Sequence, residues 1–337
     1  MKLRQPESRY CATNSAMISK LYIFETDSLD PYHNLAMEEY LLDTLPYDSA
    51  LLYLWQNERT VVIGRNQSSE NEVNVEKLED DGGHLARRLS GGGAVYHDTG
   101  NLNFTFIVNK KDFDRPRQDQ VIIEALNQLS IHAEVNGRND LVINGCKFSG
   151  HAYYHGSKNS YHHGTIMVDV NNDDLARYLN VSRKKLVSKN VESVRSRVIN
   201  LKDVREDITL EELKAALKNS FEKTYGLSAE KVSESDLDDE RISELQMKFA
   251  SPEWKYDKRE QYDFSKEQRF KWGMVEVRYS LDDELISKCC IYTDSLNTEK
   301  LLKLPIKLKG RKISEQLRSL AENEEETDVI DLLIGRE

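Results

Sequence analysis

The sequence predicts an α+β protein with a mainly antiparallel sheet flanked by helices. Three observations carry this. Strand-like runs follow one another across short turns, as in KFSGHAYYHG and HHGTIMVDV around the turn residues Gly156 to Asn159. Phe104, Phe106 and Val108 alternate as a half-buried antiparallel strand should. Helical spacing is confined to blocks between sets of strands, and this one-sided grouping disfavours a doubly wound parallel sheet.

Residues 1–19 are polar and patternless, an expected flexible arm or leader with Met1 or Met17 as start. Leu21 to Phe24 reads as a short strand. Asp30-Pro31 opens a helix, because an Asp side chain accepts orphan amides and proline suits the first turn. Leu51–Trp55 and Thr60–Gly64 read as buried strands joined by a turn at Glu58–Thr60. Residues 74–81 form a short charged helix. Residues 85–108 read as strand, glycine loop and strand. Val121, Ile122, Ala125 and Leu129 mark a helix over 118–130. Strands follow at 133–137, 140–145, 147–156 and 162–170. Asp173-Asp174 are expected to cap a helix through Leu179. Thr209 and Glu212 make a capping box for a helix ending at Gly226. Residues 229–245 are acidic and read as a solvated helical connection. From Trp254 the tail has its own strands and helices, so the expected division is 20–248 and 254–337.

The chain has 337 residues and a net charge of -11. That balance excludes a general nucleic-acid binder, which needs a basic footprint. No apolar run approaches a membrane span, and the first residues lack a secretory apolar core. Cys11, Cys146, Cys289 and Cys290 show no CxxC spacing. A reducing cytoplasm is the expected compartment, with a monomer as default.

The densest unusual segment is Arg87-Arg88-Leu89-Ser90-Gly91-Gly92-Gly93-Ala94-Val95-Tyr96-His97. Glycine amides can converge on an anion, and arginine forks match phosphate or carboxylate oxygens. There is no Walker A loop and no dinucleotide fingerprint. Lys147 sits among small neighbours at a strand start. It is either an edge-strand charge or a point charge for a phosphoryl or carbonyl oxygen. Asp140 is a possible ligand for a metal with phosphate. His151, His155, His162 and His163 invite a metal reading, but His162 and His163 point to opposite faces and no cysteine or glutamate completes a set. Residues 182–197, with Lys189, Arg195 and Arg197, hold the basic concentration of an acidic chain. They read as a solvated loop or as a flap bringing cations to a polyanion.

These blocks in this order resemble lipoate–protein ligases. The resemblance rests on DPYHNLAMEEYLL, LWQNERTVVIGRNQ, RRLSGGGAVYHDTGN, GRNDL, KFSGHA, HHGTI and SVRSRVINL, with FKWGMVEV and IYTDSLN in the tail. It covers the chain from about residue 20. It implies the mixed, largely antiparallel fold of biotin and lipoate ligases and class II aminoacyl-tRNA synthetases, with a small α+β C-terminal accessory domain. It implies a two-step activity: ATP and lipoate form lipoyl-AMP, and the lipoyl group passes to a lysine of a lipoyl domain or of the glycine-cleavage H protein. By the same resemblance, Arg88, Gly93, Ala94, Val95, Tyr96 and Lys147 would contact ATP, with Mg²⁺ accompanying the nucleotide. Lys147, Trp55, Arg87, Ser90, Gly91, Gly92, His97 and His163 would border lipoate. Lys189, Arg195 and Arg197 would close over the adenylate. Two rivals are an octanoyltransferase, which needs a nucleophilic cysteine in the site, and a non-catalytic relative that binds lipoyl domains. A biotin ligase fits less well, because RRLSGGGAVYH replaces its arginine-glycine loop.

Overall fold

The structure, a computed structural model, describes residues 18–137, 139–180, 198–256, 260–297 and 299–335. The chain opens with β1 (Lys20–Glu25), α1 (Pro31–Thr44) and β2 (Ser49–Trp55). A side unit follows: β3 (Thr60–Ile63), α2 (Ser69–Glu72), α3 (Val75–Asp80), β4 (His84–Arg87) and β5 (Val95–His97). Then come β6 (Asn101–Asn109), α4 (Arg115–Gln128), β7 (Glu134–Asn136), β8 (Asp140–Ile143), β9 (Cys146–His155) and β10 (Asn159–Met167). After α5 (Asn172–Tyr178), α6 (Leu210–Tyr225), β11 (Ala229–Lys231), α7 (Asp239–Ala250) and α8 (Pro252–Lys255), the tail forms β12 (Phe264–Arg269), β13 (Met274–Asp282), β14 (Leu285–Thr293), α9 (Leu304–Leu308) and α10 (Glu324–Ile334).

An eight-stranded mixed sheet runs in the order β11-β1-β2-β6-β10-β9-β8-β7. β1 is parallel to β2 and β11, and α1 forms the crossover that the β1–β2 pair requires. The remaining pairs are antiparallel. Leu52, Phe104, Phe106 and Val108 pack on one face beside Val121 of α4 and Phe221 of α6. Tyr53, Trp55, Ile107 and Tyr161 pack on the other beside Leu35 of α1 and Phe249 of α7. β6 is therefore buried along its whole length, not half-buried as its alternation predicts. Helices cover both faces, so its polar positions face a second interior.

Other expectations are corrected in the same way. β2 and β3 are not a hairpin: β3 joins a separate sheet of order β4-β3-β5. The Asn34 amide braces the turn by donating to Gln56 O at 2.7 Å. Residues 229–245 are not a solvated connection. They supply edge strand β11, and α7 buries Ile242, Leu245 and Phe249. Asn171, not Asp173 or Asp174, caps α5. The capping box of Thr209 and Glu212 is present, and Gly226 ends α6 in the left-handed conformation at φ 71°. The small C-terminal sheet β12-β13-β14 packs Val275, Val277 and Ile286 against Leu304, Val329 and Ile330. Trp254 stays with the main body: its Nε1 donates to Arg87 O at 2.7 Å. Among the described residues, no helix is long and apolar enough to cross a membrane.

Candidate active site

A cavity opens where the glycine loop between β4 and β5 lies over β9 and β10. Trp55, Arg88, Gly92, Gly93, Ala94, Val95, His97, Lys147 and His163 line it. The structure thus gathers these nine expected residues from β2, the glycine loop, β5, β9 and β10. Leu35 and Val62 add apolar wall.

Arg88 shapes the loop from within. Its Nε donates to Ser90 Oγ at 3.0 Å, Nη1 to Val62 O at 3.0 Å, and Nη2 to Gly91 O and Gly93 O at 2.7 and 2.8 Å. Burial pulls this guanidinium down to about 10, so it stays cationic at neutral pH. Gly92 has φ 91°, a backbone region that favours glycine. Its amide is not free for an anion: it donates to Ser295 O at 3.0 Å, in the segment following β14.

A buried hydrogen-bond chain continues from Arg88. Ser90 Oγ donates to His163 Nε2 at 2.7 Å, and His163 Nδ1 donates to Glu38 Oε1 at 2.8 Å. Thr105 Oγ1 also donates to Glu38 Oε1, at 2.7 Å, and itself accepts from Trp55 Nε1 at 3.1 Å. Ser90 is fully buried and accepts from Arg88, so this chain positions groups and holds no free nucleophile. Glu38 and Thr105 escaped the sequence reading. A signal existed: Glu38 lies three residues after Leu35 on an apolar helix face, where a carboxylate is expensive without partners.

Lys147 lies across Gly150, where an added Cβ would stand 2.7 Å from its Nζ. Its ammonium pairs with Asp140 Oδ1 at 2.7 Å. Val198, the first described residue after 181–197, bridges to Lys147, and Ile199 N donates to Lys147 O. Lys189, Arg195 and Arg197 lie outside the described residues.

Five expected residues do not line the cavity, Asp140, the partner of Lys147, among them. Arg87 turns the other way and donates to Gln67 O at 2.6 Å, Trp254 O at 2.9 Å and Lys255 O at 3.0 Å. Tyr96 packs on Tyr178 with ring centroids 5.6 Å apart. Ser90 and Gly91 sit behind the loop as Arg88 partners. Among the described residues, no cysteine lines the cavity.

His97 Nδ1 accepts from Asn57 Nδ2 at 3.1 Å. Burial, then Arg88 and His163, push this imidazole down to about 3. The folded ring is neutral, whereas the unfolded one takes a proton below about pH 6.5. The unfolded state therefore binds the extra proton as pH falls from about 6.5 toward 3. That removes up to about 1.4 kcal/mol of stability per pH unit in this window. His97→Gln should flatten the slope by about one proton in urea unfolding at pH 5 and 7. An unchanged slope would show that His97 does not carry this linkage.

A family model described as lipoyl protein ligase A/B catalytic domain matches residues 30–222. One described as bacterial lipoate protein ligase C-terminus matches residues 259–330. Among solved structures, the chain is similar to P. falciparum LipL1 in complex with lipoate. That match has 26% identity, spans 94% of this chain and 100% of that one, and has a TM-score of 0.81. It is also similar to a bipartite archaeal lipoate protein ligase from Thermoplasma acidophilum, whose structure was studied with its E2 lipoyl domain. Identity is 29%, coverage 71% of this chain and 96% of that one, and TM-score 0.63. A lipoate-protein ligase A bound with ATP matches at 27% identity over 71% of this chain and 98% of its own, with TM-score 0.61.

Proposed function

The chain belongs to the lipoyl protein ligase A/B catalytic-domain family, and from that premise we propose that it is an ATP-dependent, adenylate-forming lipoate–protein ligase. Its acceptors are apo lipoyl domains of 2-oxoacid dehydrogenase complexes and the glycine-cleavage H protein, met in the cytoplasm by a monomeric enzyme. A lipoate carboxylate oxygen attacks the α-phosphorus of ATP, the bond to pyrophosphate breaks, and lipoyl-AMP forms. An acceptor lysine amine then attacks the acyl carbon. AMP departs, the amine loses its proton, and an amide remains.

One observation carries this reading. A single cavity joins an apolar wall of Leu35, Trp55 and Val62 to a polar end bearing Lys147 and Arg88. The wall suits an acyl chain ending in a dithiolane. Both steps build negative charge on phosphoryl or carbonyl oxygens, which Lys147 stabilises best where it is already held in place. Arg88 keeps the glycine loop in shape for the nucleotide, with Gly93, Ala94 and Val95 on the cavity side. His163 and Glu38 fix the wall beside Trp55. ATP enters as its Mg²⁺ complex, and Asp140 can hold either the Lys147 ammonium or that ion.

The transferase alternative lacks support, since a thioester needs a cysteine in reach and none of the described cavity-lining residues is one. The test is mass spectrometry of an apo lipoyl domain incubated with this protein, ATP, Mg²⁺ and lipoate. A lipoyl-sized gain that requires ATP is expected. Octanoyl gain from acyl-carrier protein without ATP would overturn the ligase reading.

A further inference from the structure

Beside the cavity, which His151 also lines, three ligand-type atoms converge in the interior on the opposite face of β10 from His163. His151 Nδ1 lies 3.0 Å from His162 Nε2 and 3.2 Å from Asp119 Oδ1. His162 Nε2 lies 3.9 Å from that same oxygen. All three side chains are at least nine-tenths buried. The carboxylate comes from α4 and the imidazoles from adjacent strands. The sequence offered several histidines without a third donor type, and the missing donor is Asp119, which only the packing of α4 on the sheet brings in.

The remote atoms of all three are already held. His151 Nε2 meets Ser149 Oγ at 2.9 Å, and His162 Nδ1 meets Gln118 Oε1 at 3.1 Å. Arg115 Nε donates to Asp119 Oδ2 at 3.1 Å. Metal-binding imidazoles are oriented in this way, by donating the outer N–H to an oxygen. With the outer nitrogens protonated, the inner three atoms present only lone pairs to one another. Asp119 Oδ1 then faces the lone pair of His151 Nδ1 at 3.2 Å. A proton on His151 Nδ1 would serve one of its two neighbours and leave the other unserved. A divalent cation would serve all three at once.

We propose that Asp119, His151 and His162 form a binding site for a zinc-class divalent cation. Zinc bonds to imidazole nitrogen and carboxylate oxygen at about 2.0–2.2 Å, which in tetrahedral geometry puts ligand atoms about 3.3–3.6 Å apart. Separations of 3.0, 3.2 and 3.9 Å bracket that range. A point roughly 2 Å from all three atoms therefore exists without moving the backbone. Two nitrogens and one oxygen favour zinc or a neighbouring first-row ion over magnesium or calcium, which prefer all-oxygen sets. Three protein ligands leave one position for a small fourth ligand. The ion would tie α4 to β9 and β10, and so stiffen the strand that carries Lys147 and Gly150. This site is separate from the Mg²⁺ that accompanies ATP and does not depend on the ligase reading.

The test uses the full chain, stripped with chelator and titrated with Co²⁺. One equivalent should bind, with visible d–d bands typical of nitrogen and oxygen donors. One equivalent of Zn²⁺ should bleach those bands and raise the thermal midpoint. Asp119→Asn and His162→Gln should each weaken Co²⁺ binding at least about 100-fold, as loss of one of three ligands requires. His132→Gln, at an exposed position, should leave it unchanged. The proposal is overturned if the wild-type chain takes up no Co²⁺, or if both variants bind it undiminished. A thiolate charge-transfer band in the wild-type spectrum would also overturn it, by putting the ion on a cysteine. The wild-type spectrum alone decides the matter should the variants fail to fold.

Discussion

Lys147→Ala is expected to lower lipoyl-AMP formation by at least about 100-fold, the usual loss when one preorganised charge-stabilising donor is removed. The fold should survive. Lys147 is partly exposed, and its ion pair with Asp140 is partly exposed as well, so the pair contributes little to stability. Lys147→Arg should not restore the rate. The ammonium sits over Gly150 with no Cβ beneath it, whereas a guanidinium is a planar fork of different reach. Single-turnover detection of lipoyl-AMP, together with a thermal melt, checks both statements. Normal adenylate production by a folded Lys147→Ala variant would remove this residue from the chemistry.

Arg88→Lys is expected to damage both stability and nucleotide use. The guanidinium donates to the carbonyls of Val62, Gly91 and Gly93 and to Ser90 Oγ. An ammonium has three donors on one atom and cannot span those directions. Each buried acceptor left unserved costs about 1–3 kcal/mol. The glycine loop should relax, and the KM for ATP should rise by at least about tenfold, because the loop no longer presents a fixed backbone. Urea unfolding and an ATP titration read the two effects. Wild-type stability in the variant would show that Arg88 does not hold the loop.

Much of this molecule is legible in its residues. The capping box at Thr209 and the Asp30-Pro31 helix start depend on local hydrogen bonds, so neighbouring residues suffice to predict them. Strand alternation places His162 and His163 on opposite faces, and the two do serve different networks. The glycine loop stood out because triple glycine is costly without a use, whereas Lys147 read equally as an edge-strand charge until the resemblance gave it a role.

What the sequence by itself determined was the set of local elements, the unusual segments and, through the ordered blocks, the family. Tertiary structure alone decided which side of each segment faces the cavity. Adjacent Arg87 and Arg88 read alike in one dimension, yet Arg87 serves the carbonyls around Trp254 while Arg88 serves the loop. Glu38, Thr105 and Asp119 acquire these roles through partners 67 to 125, 50 to 67 and 32 to 43 residues away in the chain, respectively. The reason is physical. A buried polar group is defined by what satisfies it, and its partners come from elements that only packing brings together.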